Sequence, residues 1–197
     1  MTIKEDKTNK LFFTSDLHLF HKNIIDFCDR PFYDVEDMNK TIIQKWNGII
    51  DEDSIIFVLG DMFFTSSIDK ITNVMDQLNG EIHLIMGNHD YQNKLDRDVI
   101  KTMFASVHDL YEVYVEDPDI GRQGLVLCHY PLLTWNNKMR GYWNLHGHIH
   151  SGPKSDATEQ GLHLLGHYDV GVDNNSYYPV SYYDVKVNIT REYLKNG

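Results

Sequence analysis

The sequence predicts an α/β fold in which two packed sheets carry helices on their outer faces. In the first half of the chain, apolar runs of strand length alternate with segments whose apolar residues recur at helical spacing. The run Ile55-Ile56-Phe57-Val58-Leu59 contains no polar residue, which is typical of a parallel strand buried on both faces. The second half is mostly short strands separated by turn residues. A chain of 197 residues is expected to form one domain, residues 1–197.

The first half supplies alternating strands and helices. Strands are predicted at 11–14, 55–59 and 82–86. Helical segments are predicted at 24–29, 38–49, 68–78 and 95–104. Asp34 and Ser67 are predicted as the N-caps of the second and third of these helices, because short polar side chains satisfy the first free N–H groups of a helix.

The second half is predicted to add strands and no long helix. These strands are expected at 110–115, 124–128, 143–146, 162–165, 168–172 and 182–189. Two sheets with flanking helices place a functional site at the carboxyl ends of the strands.

Composition and charge exclude several classes of protein. The net charge of −11 argues against a protein that binds long nucleic acid through a basic surface. No apolar run approaches the roughly 20 residues that cross a bilayer, so we expect no membrane partner. Residues 1–10 do not look like a secretory signal, and Cys28 and Cys128 do not form a disulfide framework. A cytoplasmic location is therefore expected.

Five clusters of potential metal ligands follow the predicted strands. The most distinctive is Gly147-His148-Ile149-His150, because two imidazoles two residues apart point the same way in an extended chain. The other clusters are Asp16-Leu17-His18, Gly60-Asp61, Gly87-Asn88-His89-Asp90 and His129. Glycine precedes three of the five, and we expect these glycines to adopt the positive φ of a sharp turn.

The donor count indicates two metal ions rather than one. The candidate ligands are Asp16, His18, Asp61, Asn88, His129, His148 and His150. Seven donors exceed what one ion needs and suit two ions that share a carboxylate. Asp61 lies in the middle of the set and is the expected bridge. Mixed oxygen and nitrogen donors fit Mn²⁺, Fe²⁺, Zn²⁺, Ni²⁺ or Co²⁺, with manganese among the candidates.

The five motifs, in this order and over residues 11–150, resemble those of the calcineurin-like metallophosphoesterases. The resemblance implies a two-sheet sandwich with a dinuclear metal site at the carboxyl ends of its strands. It implies that Asp16, His18, Asp61 and His150 hold one ion. It also implies that Asp61, Asn88, His129 and His148 hold the other.

The resemblance implies hydrolysis of a phosphoester by a hydroxide that bridges the two ions. His89 would protonate the leaving oxygen, and Asp90 would orient the His89 ring or raise its pKa. Gly60-Asp61 continues as Met62-Phe63-Phe64-Thr65, without the arginine that serine/threonine phosphatases carry there. The chain therefore looks more like the small bacterial and phage-type phosphodiesterases of the superfamily.

The expected substrate is a small or nucleotide-like phosphodiester. A phosphomonoesterase acting on a small phosphorylated metabolite is the alternative, and an inactive binding scaffold is a further one. Substrate-binding roles are predicted for His21, Asn23, Arg30 and Arg140, because imidazole, amide and guanidinium groups can contact phosphate. Asp173 is interpreted as a turn or loop carboxylate.

Overall fold

The predicted architecture of two sheets flanked by helices is confirmed. The computed structural model describes residues 1–92, 97–150 and 165–196, and over these ranges ten strands form two five-stranded sheets. In spatial order the first sheet is β10 (Val180–Ser181), β2 (Leu11–Thr14), β3 (Ile55–Val58), β4 (Glu81–Ile85) and β5 (Ser106–His108). The second is β1 (Thr2–Ile3), β6 (Leu110–Asp117), β7 (Gly121–Cys128), β8 (Trp143–His146) and β9 (His167–Asp169).

Helices connect the strands of the first sheet, and a further helix follows its strand β10. They are α1 (Ile24–Phe27), α2 (Val35–Asn47), α3 (Ile68–Met75), α4 (Asn88–Gln92), α5 (Arg97–Met103) and α6 (Tyr182–Asn196), with short 3₁₀ segments at Glu5–Lys10 and Lys138–Arg140. Both predicted N-caps are confirmed. The Asp34 side chain accepts from Asp37 N–H at 2.8 Å, and Ser67 Oγ accepts from Lys70 N–H at 3.4 Å.

Alternation along the strands of the first sheet creates two hydrophobic cores. Phe12 and Ile56 pack in the core formed with the helices, which includes Trp46 of α2. Phe13 and Phe57 point the other way, into the core formed with the second sheet. Because both faces of the sheet are covered, its strands can be apolar throughout, as the sequence of β3 predicted.

The directions of the strands place their carboxyl ends, which the candidate ligands follow, at one edge of each sheet. β2, β3, β4 and β5 are parallel to one another, and β7, β8 and β9 are parallel in the second sheet. The carboxyl ends within each parallel set therefore lie at one edge. The two sheets meet where Ser15, after β2, pairs with Gly171, after β9, and where Val172 N–H donates to Ser15 O at 3.0 Å.

One predicted element has the wrong type. Residues 182–189 are predicted as a strand and instead begin the 15-residue helix α6. Tyr182, Val185 and Ile189 are buried, at a spacing that brings them to one helical face against the core between the sheets. Aromatic and β-branched residues favour strands intrinsically, and packing against the sheet overrides that preference.

The remaining differences are smaller. The sequence did not predict β1, β5 or the separate helix α4. Of the strand predicted at 162–165, residues 162–164 lie outside the described residues. No helix within the described ranges is both long and apolar enough to cross a bilayer.

Candidate metal centre

The loops that carry the predicted ligands meet at the carboxyl edge of the two sheets. Asp16 and His18 follow β2, Asp61 follows β3, and Asn88 opens α4 directly after β4. In the second sheet His129 follows β7, and His148 and His150 follow β8. These seven residues are called the metal centre below.

Backbone hydrogen bonds join the ligand loops to one another. Asp16 N–H donates to Gly60 O, and His18 N–H donates to Asp61 O, both at 3.0 Å. His148 N–H donates to the side chain of Asp16, at Oδ2, over 2.9 Å. Each loop is thus fixed against a neighbour, which sets the ligands before any ion is considered.

Five ligand-bearing residues adopt the left-handed backbone region. The φ angles are 57° for Asp16, 51° for His18, 54° for Asp61, 72° for His148 and 45° for His150. The prediction that each pair of ligands faces one way from an extended chain is therefore wrong. The side chains converge because the chain turns sharply at the ligands themselves.

The glycines before three clusters have different reasons to be glycine. Gly60 has the predicted positive φ, at 94°. Gly87 and Gly147 do not, so the prediction is wrong for these two. A Cβ at Gly87 would overlap Asp61 Oδ1, and one at Gly147 would overlap Ser15 Oγ and Asp16 Oδ2. Glycine at 147 therefore lets the histidine-bearing loop lie directly against the aspartate loop.

Ligand atoms from separate loops lie at spacings suited to shared cations. His18 Nε2 is 3.8 Å from Asp16 Oδ1 and 3.7 Å from Asp61 Oδ2. His129 Nε2 is 3.5 Å from the same Asp61 oxygen and 3.1 Å from Asn88 Oδ1. His150 Nε2 is 3.8 Å from Asp16 Oδ1. Ligands around one ion at bonds of about 2.1 Å lie roughly 3–3.5 Å apart, so a small contraction would complete the coordination.

Unpartnered buried atoms show that the centre fits a metal. Asp16 Oδ1 and both ring nitrogens of His18 are buried without a hydrogen-bond partner. Such atoms carry a large desolvation cost unless something pairs with them. Two groups within this centre, Asp16 with His18 and His150 and Asp16 with Asp61 and His129, place their donor atoms within 4.8 Å of one another. A third group joins His18 and Asp61 to the adjacent His89 at the same spacing. The donor set of carboxylates and imidazoles is one that divalent ions use.

The model of the calcineurin-like phosphoesterase family matches residues 10–186 of this sequence. This chain belongs to the calcineurin-like phosphoesterase family. The matched range includes all seven residues of the metal centre, and metal dependence with phosphoester hydrolysis is the chemistry of that family.

Relatives of this phosphoesterase come from distant sources. The uncharacterized protein MJ1445 of Methanocaldococcus jannaschii is 31% identical over 174 residues, which cover 83% of this chain and 88% of that protein. The Gene 66 protein of Mycobacterium phage L5 is 28% identical over 160 residues, which cover 71% and 77% of the two chains. A crystal structure of a protein of unknown function, AQ665 from Aquifex aeolicus, matches with a TM-score of 0.66 at 21% identity. It covers 90% of this chain and 97% of that one, a likeness of fold.

The charges of the phosphoesterase centre favour cation binding. Burial, reinforced by the negative charge of Asp16, raises the pKa of Asp61 to about 7. Burial, together with the charges of His150 and Arg30, lowers the pKa of His18 far below its usual range. A divalent cation would relieve the repulsion between the carboxylates, and a neutral imidazole has the free lone pair that a metal needs.

His148 lies at the rim of the centre. His148 is exposed to solvent. Its ring centroid is 5.0 Å from that of His129 and 4.7 Å from that of Tyr130. Asn88 and His129 lie deeper. The structure therefore gathers six of the predicted ligands closely and leaves the seventh, His148, facing solvent beside His129.

His89 projects over the centre, and its neighbour Asp90 does not contact its ring. His89 N–H donates to Asp61 Oδ1 at 2.9 Å, and its Nε2 lies 4.0 Å from Asp61 Oδ2. The buried Asp90 carboxylate accepts from the N–H groups of Gly87 and Asp61 at 2.8 Å and of Met62 at 3.2 Å. The expectation that Asp90 orients the His89 ring is thus corrected. Asp90 instead ties the two ligand loops together.

Among the predicted substrate contacts, the structure contradicts the role of Arg30 most clearly. It is 3% exposed, and its Nε and one Nη bind the two carboxylate oxygens of Asp173 at 2.9 Å. The remaining N–H groups face Asp16 O at 2.8 Å, Leu17 O at 3.0 Å and Met38 Sδ at 3.5 Å. All five donors of the guanidinium are occupied, so Arg30 has none left for a substrate phosphate.

The other predicted contacts differ in their distance from the centre. The His21 ring centroid is 5.5 Å from that of His18 and stacks on Phe64 at 3.8 Å. Asn23 is exposed at the start of α1, where its side chain makes no capping hydrogen bond. Arg140 is exposed in the 3₁₀ segment Lys138–Arg140. Only His21 is thereby placed beside a predicted ligand.

Sequence reasoning missed the role of Asp173. Besides binding Arg30, its Oδ2 lies 2.7 Å from His150 Nδ1. The residue is 9% exposed and belongs to the loop after β9. Nothing in the local sequence distinguishes it from a turn carboxylate, because its partners lie 23 and 143 residues away in the chain.

Proposed function

We propose that this phosphoesterase hydrolyses phosphodiesters with small or nucleotide-like substituents and uses two divalent ions. The observation that carries the proposal is the central position of Asp61. Its Oδ2 lies 3.7 Å from His18 Nε2 on one side and 3.5 Å from His129 Nε2 on the other. One carboxylate between two sets of imidazole donors is what a pair of ions sharing a ligand requires.

The residues would divide between the ions as the family pattern implies. One ion would be held by Asp16, His18, Asp61 and His150, and the other by Asp61, Asn88, His129 and His148. When bound, the two ions supply Lewis acidity for the phosphoryl oxygens and lower the pKa of a water molecule. Mn²⁺, Fe²⁺, Zn²⁺, Ni²⁺ and Co²⁺ all suit this donor set, and manganese is the first that we would test.

His89 would donate the proton that the leaving oxygen needs. Its side chain is 27% exposed, so a substrate can reach it, and its backbone is fixed to Asp61. Burial lowers the pKa of His89, so a smaller fraction of the ring carries the proton at neutral pH, and the proton that it carries is transferred more readily. Asp61 would therefore position the acid by accepting the His89 backbone N–H at Oδ1, while its other oxygen, Oδ2, lies between the imidazoles of His18 and His129 and would bind metal.

Charge supports a diester over a monoester. A monoester at neutral pH carries about two negative charges and a diester about one. Arg30, the arginine that contacts the Asp16 loop, has no free donor to balance the additional charge. A cytoplasmic location and the absence of long nucleic acid or membrane partners remain proposals that rest on composition.

The test is hydrolysis of bis-p-nitrophenyl phosphate beside p-nitrophenyl phosphate, with chelated protein refilled with Mn²⁺, Ni²⁺, Zn²⁺ or Mg²⁺. We expect metal-dependent cleavage of the diester well above the monoester. Asp61→Asn should abolish it, and the exposed Asp53→Asn should leave it unchanged. Preference for the monoester would overturn the diester assignment, and protein that binds no metal and cleaves neither compound would favour a scaffold.

A further inference from the structure

An exposed aromatic cluster lies beside the proposed proton donor. Phe64 stacks on His21 with ring centroids 3.8 Å apart and planes 12° apart, and its ring meets His89 edge-on at 5.3 Å. Phe27 contacts the other member of that stack, His21, at 6.2 Å. Phe64 is 40% exposed and Phe27 is 73% exposed. Open aromatic surface therefore begins within ring contact of His89.

Backbone hydrogen bonding fixes the position of Phe64, although its ring is exposed to solvent. Phe64 N–H donates to Leu19 O at 2.8 Å, and the preceding residue, Phe63, is buried and pairs with Leu19 in an isolated bridge. A ring that is rigidly placed yet half exposed loses little conformational entropy when a ligand covers it. This combination is typical of an aromatic binding contact rather than of a mobile surface side chain.

We infer that Phe64, with His21 and Phe27, forms a stacking subsite for a planar ring, such as a nucleobase, on the leaving-group side. This inference rests on the proposed function, because the leaving oxygen must lie near His89 to receive its proton. A substituent on that oxygen extends from His89 toward Phe64. Stacking accepts any planar ring, so the subsite selects aromatic leaving groups without reading a particular base.

The test compares the binding of adenosine 5′-monophosphate and ribose 5-phosphate to the metal-loaded protein by calorimetry. The two ligands share the phosphate and the sugar and differ in the base. We expect the nucleotide to bind about fivefold to a hundredfold more tightly, the range that one base–aromatic stack contributes. Phe64→Leu should reduce this ratio to about one and leave the ribose 5-phosphate affinity unchanged.

A control variant and the possible negative results distinguish failure of the stacking subsite from failure of the proposed function. Tyr183→Leu removes a ring that is 66% exposed on α6 and should preserve the ratio. Equal binding of the two ligands by the unchanged protein, or a ratio that survives Phe64→Leu, would overturn the subsite and leave the proposed function standing. If neither monoester binds, the subsite is overturned, and the cleavage of bis-p-nitrophenyl phosphate decides the proposed diester function separately.

A second, independent observation concerns the buried pair Arg30–Asp173. Asp173 binds the ring nitrogen of His150 that faces away from the centre, at 2.7 Å. Arg30 binds the carbonyl oxygens of Asp16 and Leu17, within the loop whose backbone turns into the left-handed region. The pair therefore touches both segments that carry Asp16, His18 and His150.

The geometry assigns Arg30 and Asp173 as positioning residues for the ion held by those three ligands and Asp61. Asp173 fixes the His150 ring so that Nε2 points at Asp16, and Arg30 keeps Asp173 in place. A carboxylate behind a ligating histidine sets the orientation of its ring and raises its basicity. Arg30 also stabilises the left-handed turn from outside the centre, which is why it has no donor left for a substrate.

The test measures metal affinity, by competition with a chelating dye, in Asp173→Asn and Asp117→Asn. Both changes neutralise a buried carboxylate that pairs with a cation, since Asp117 binds Lys186 at 2.8 Å away from the centre. We expect Asp173→Asn to weaken one of the two bound ions about tenfold to a hundredfold. We expect Asp117→Asn to leave both ions at their original affinity.

A second variant keeps the assignment open to test if Asp173→Asn does not fold. Arg30→Lys retains the charge and loses the two-pronged geometry, so we expect an intermediate loss of affinity at the same ion. Unchanged affinity in a folded Asp173→Asn or Arg30→Lys protein would overturn the assignment. Equal losses in Asp173→Asn and Asp117→Asn would also overturn it, because they would reflect general destabilisation.

Discussion

Replacing His89 by alanine should separate proton donation from metal binding. The backbone N–H that donates to Asp61 at 2.9 Å remains in the variant, so the bridging carboxylate keeps this contact. The ring itself is 27% exposed and its Nδ1 has no hydrogen-bond partner. We therefore expect two bound ions, as in the unchanged protein, and a loss of folding free energy of about 1 kcal/mol or less.

The expected loss of turnover depends on the leaving group. General acid catalysis contributes about 10²–10⁴-fold, which corresponds to roughly 3–5 kcal/mol of activation free energy. That full loss applies to an alkyl alkoxide, which cannot leave without a proton. A p-nitrophenolate is a stable anion that needs little protonation, so for this group the loss should be about tenfold or less.

The assay is turnover on two phosphodiesters that differ only in the leaving alcohol, for the unchanged protein, His89→Ala and His108→Ala. His108 is a matched control because its ring, on β5, stacks on Tyr111 of β6 and lies outside the metal centre. Equal losses on both substrates would refute the reasoning, since they would mean that His89 positions the metals or the phosphate. Lost metal content would refute it as well.

Two further predictions concern the scaffold. Gly147→Ala should lower metal affinity at least tenfold in a calorimetric titration, because the added Cβ would overlap Asp16 Oδ2, whereas Gly48→Ala at the end of α2 should have no effect. Lys186→Met should lower the free energy of unfolding at pH 7 by about 2 kcal/mol, because it leaves the Asp117 carboxylate without its cation. Burial tends to raise the pKa of Asp117, but the hydrogen bond from Lys186 and those from backbone N–H groups outweigh it and hold the pKa below the usual value of an aspartate. The stability from this pair is therefore present at neutral pH and lost as pH falls below that value, so urea unfolding should show the two proteins converging in acid.

The fold could be predicted where local pattern and tertiary packing agree. Strand β3 is apolar throughout and is buried on both faces, and α2 and α3 begin at the predicted caps. Prediction failed at α6, where Tyr182 and Val185 favour a strand intrinsically and the surface they cover requires a helix. That surface is built by strands distant in sequence, which no local pattern reports.

The convergence of the candidate ligands could be predicted, but their backbone conformation could not. The motifs selected Asp16, His18 and Asp61 as candidates because few residue types bind divalent ions, and these types cluster after strands. The prediction then assumed extended chain, whereas all three residues have positive φ. Likewise, Arg30 and Asp173 are separated by 143 residues, so their pairing follows only from the completed fold.

The left-handed ligands connect the stability of the centre to its function. Each non-glycine residue in that region costs of order 1–3 kcal/mol and persists only where the surroundings hold it. Here the restraints run between ligand loops: His18 N–H binds Asp61 O, and His148 N–H binds the Asp16 side chain. Releasing one loop therefore removes a restraint from the next, so the ligands form a cooperative unit rather than separate sites. Because the divalent ions would bind the same side chains, they would offset the cost of these turns and bind a centre that the fold has already shaped.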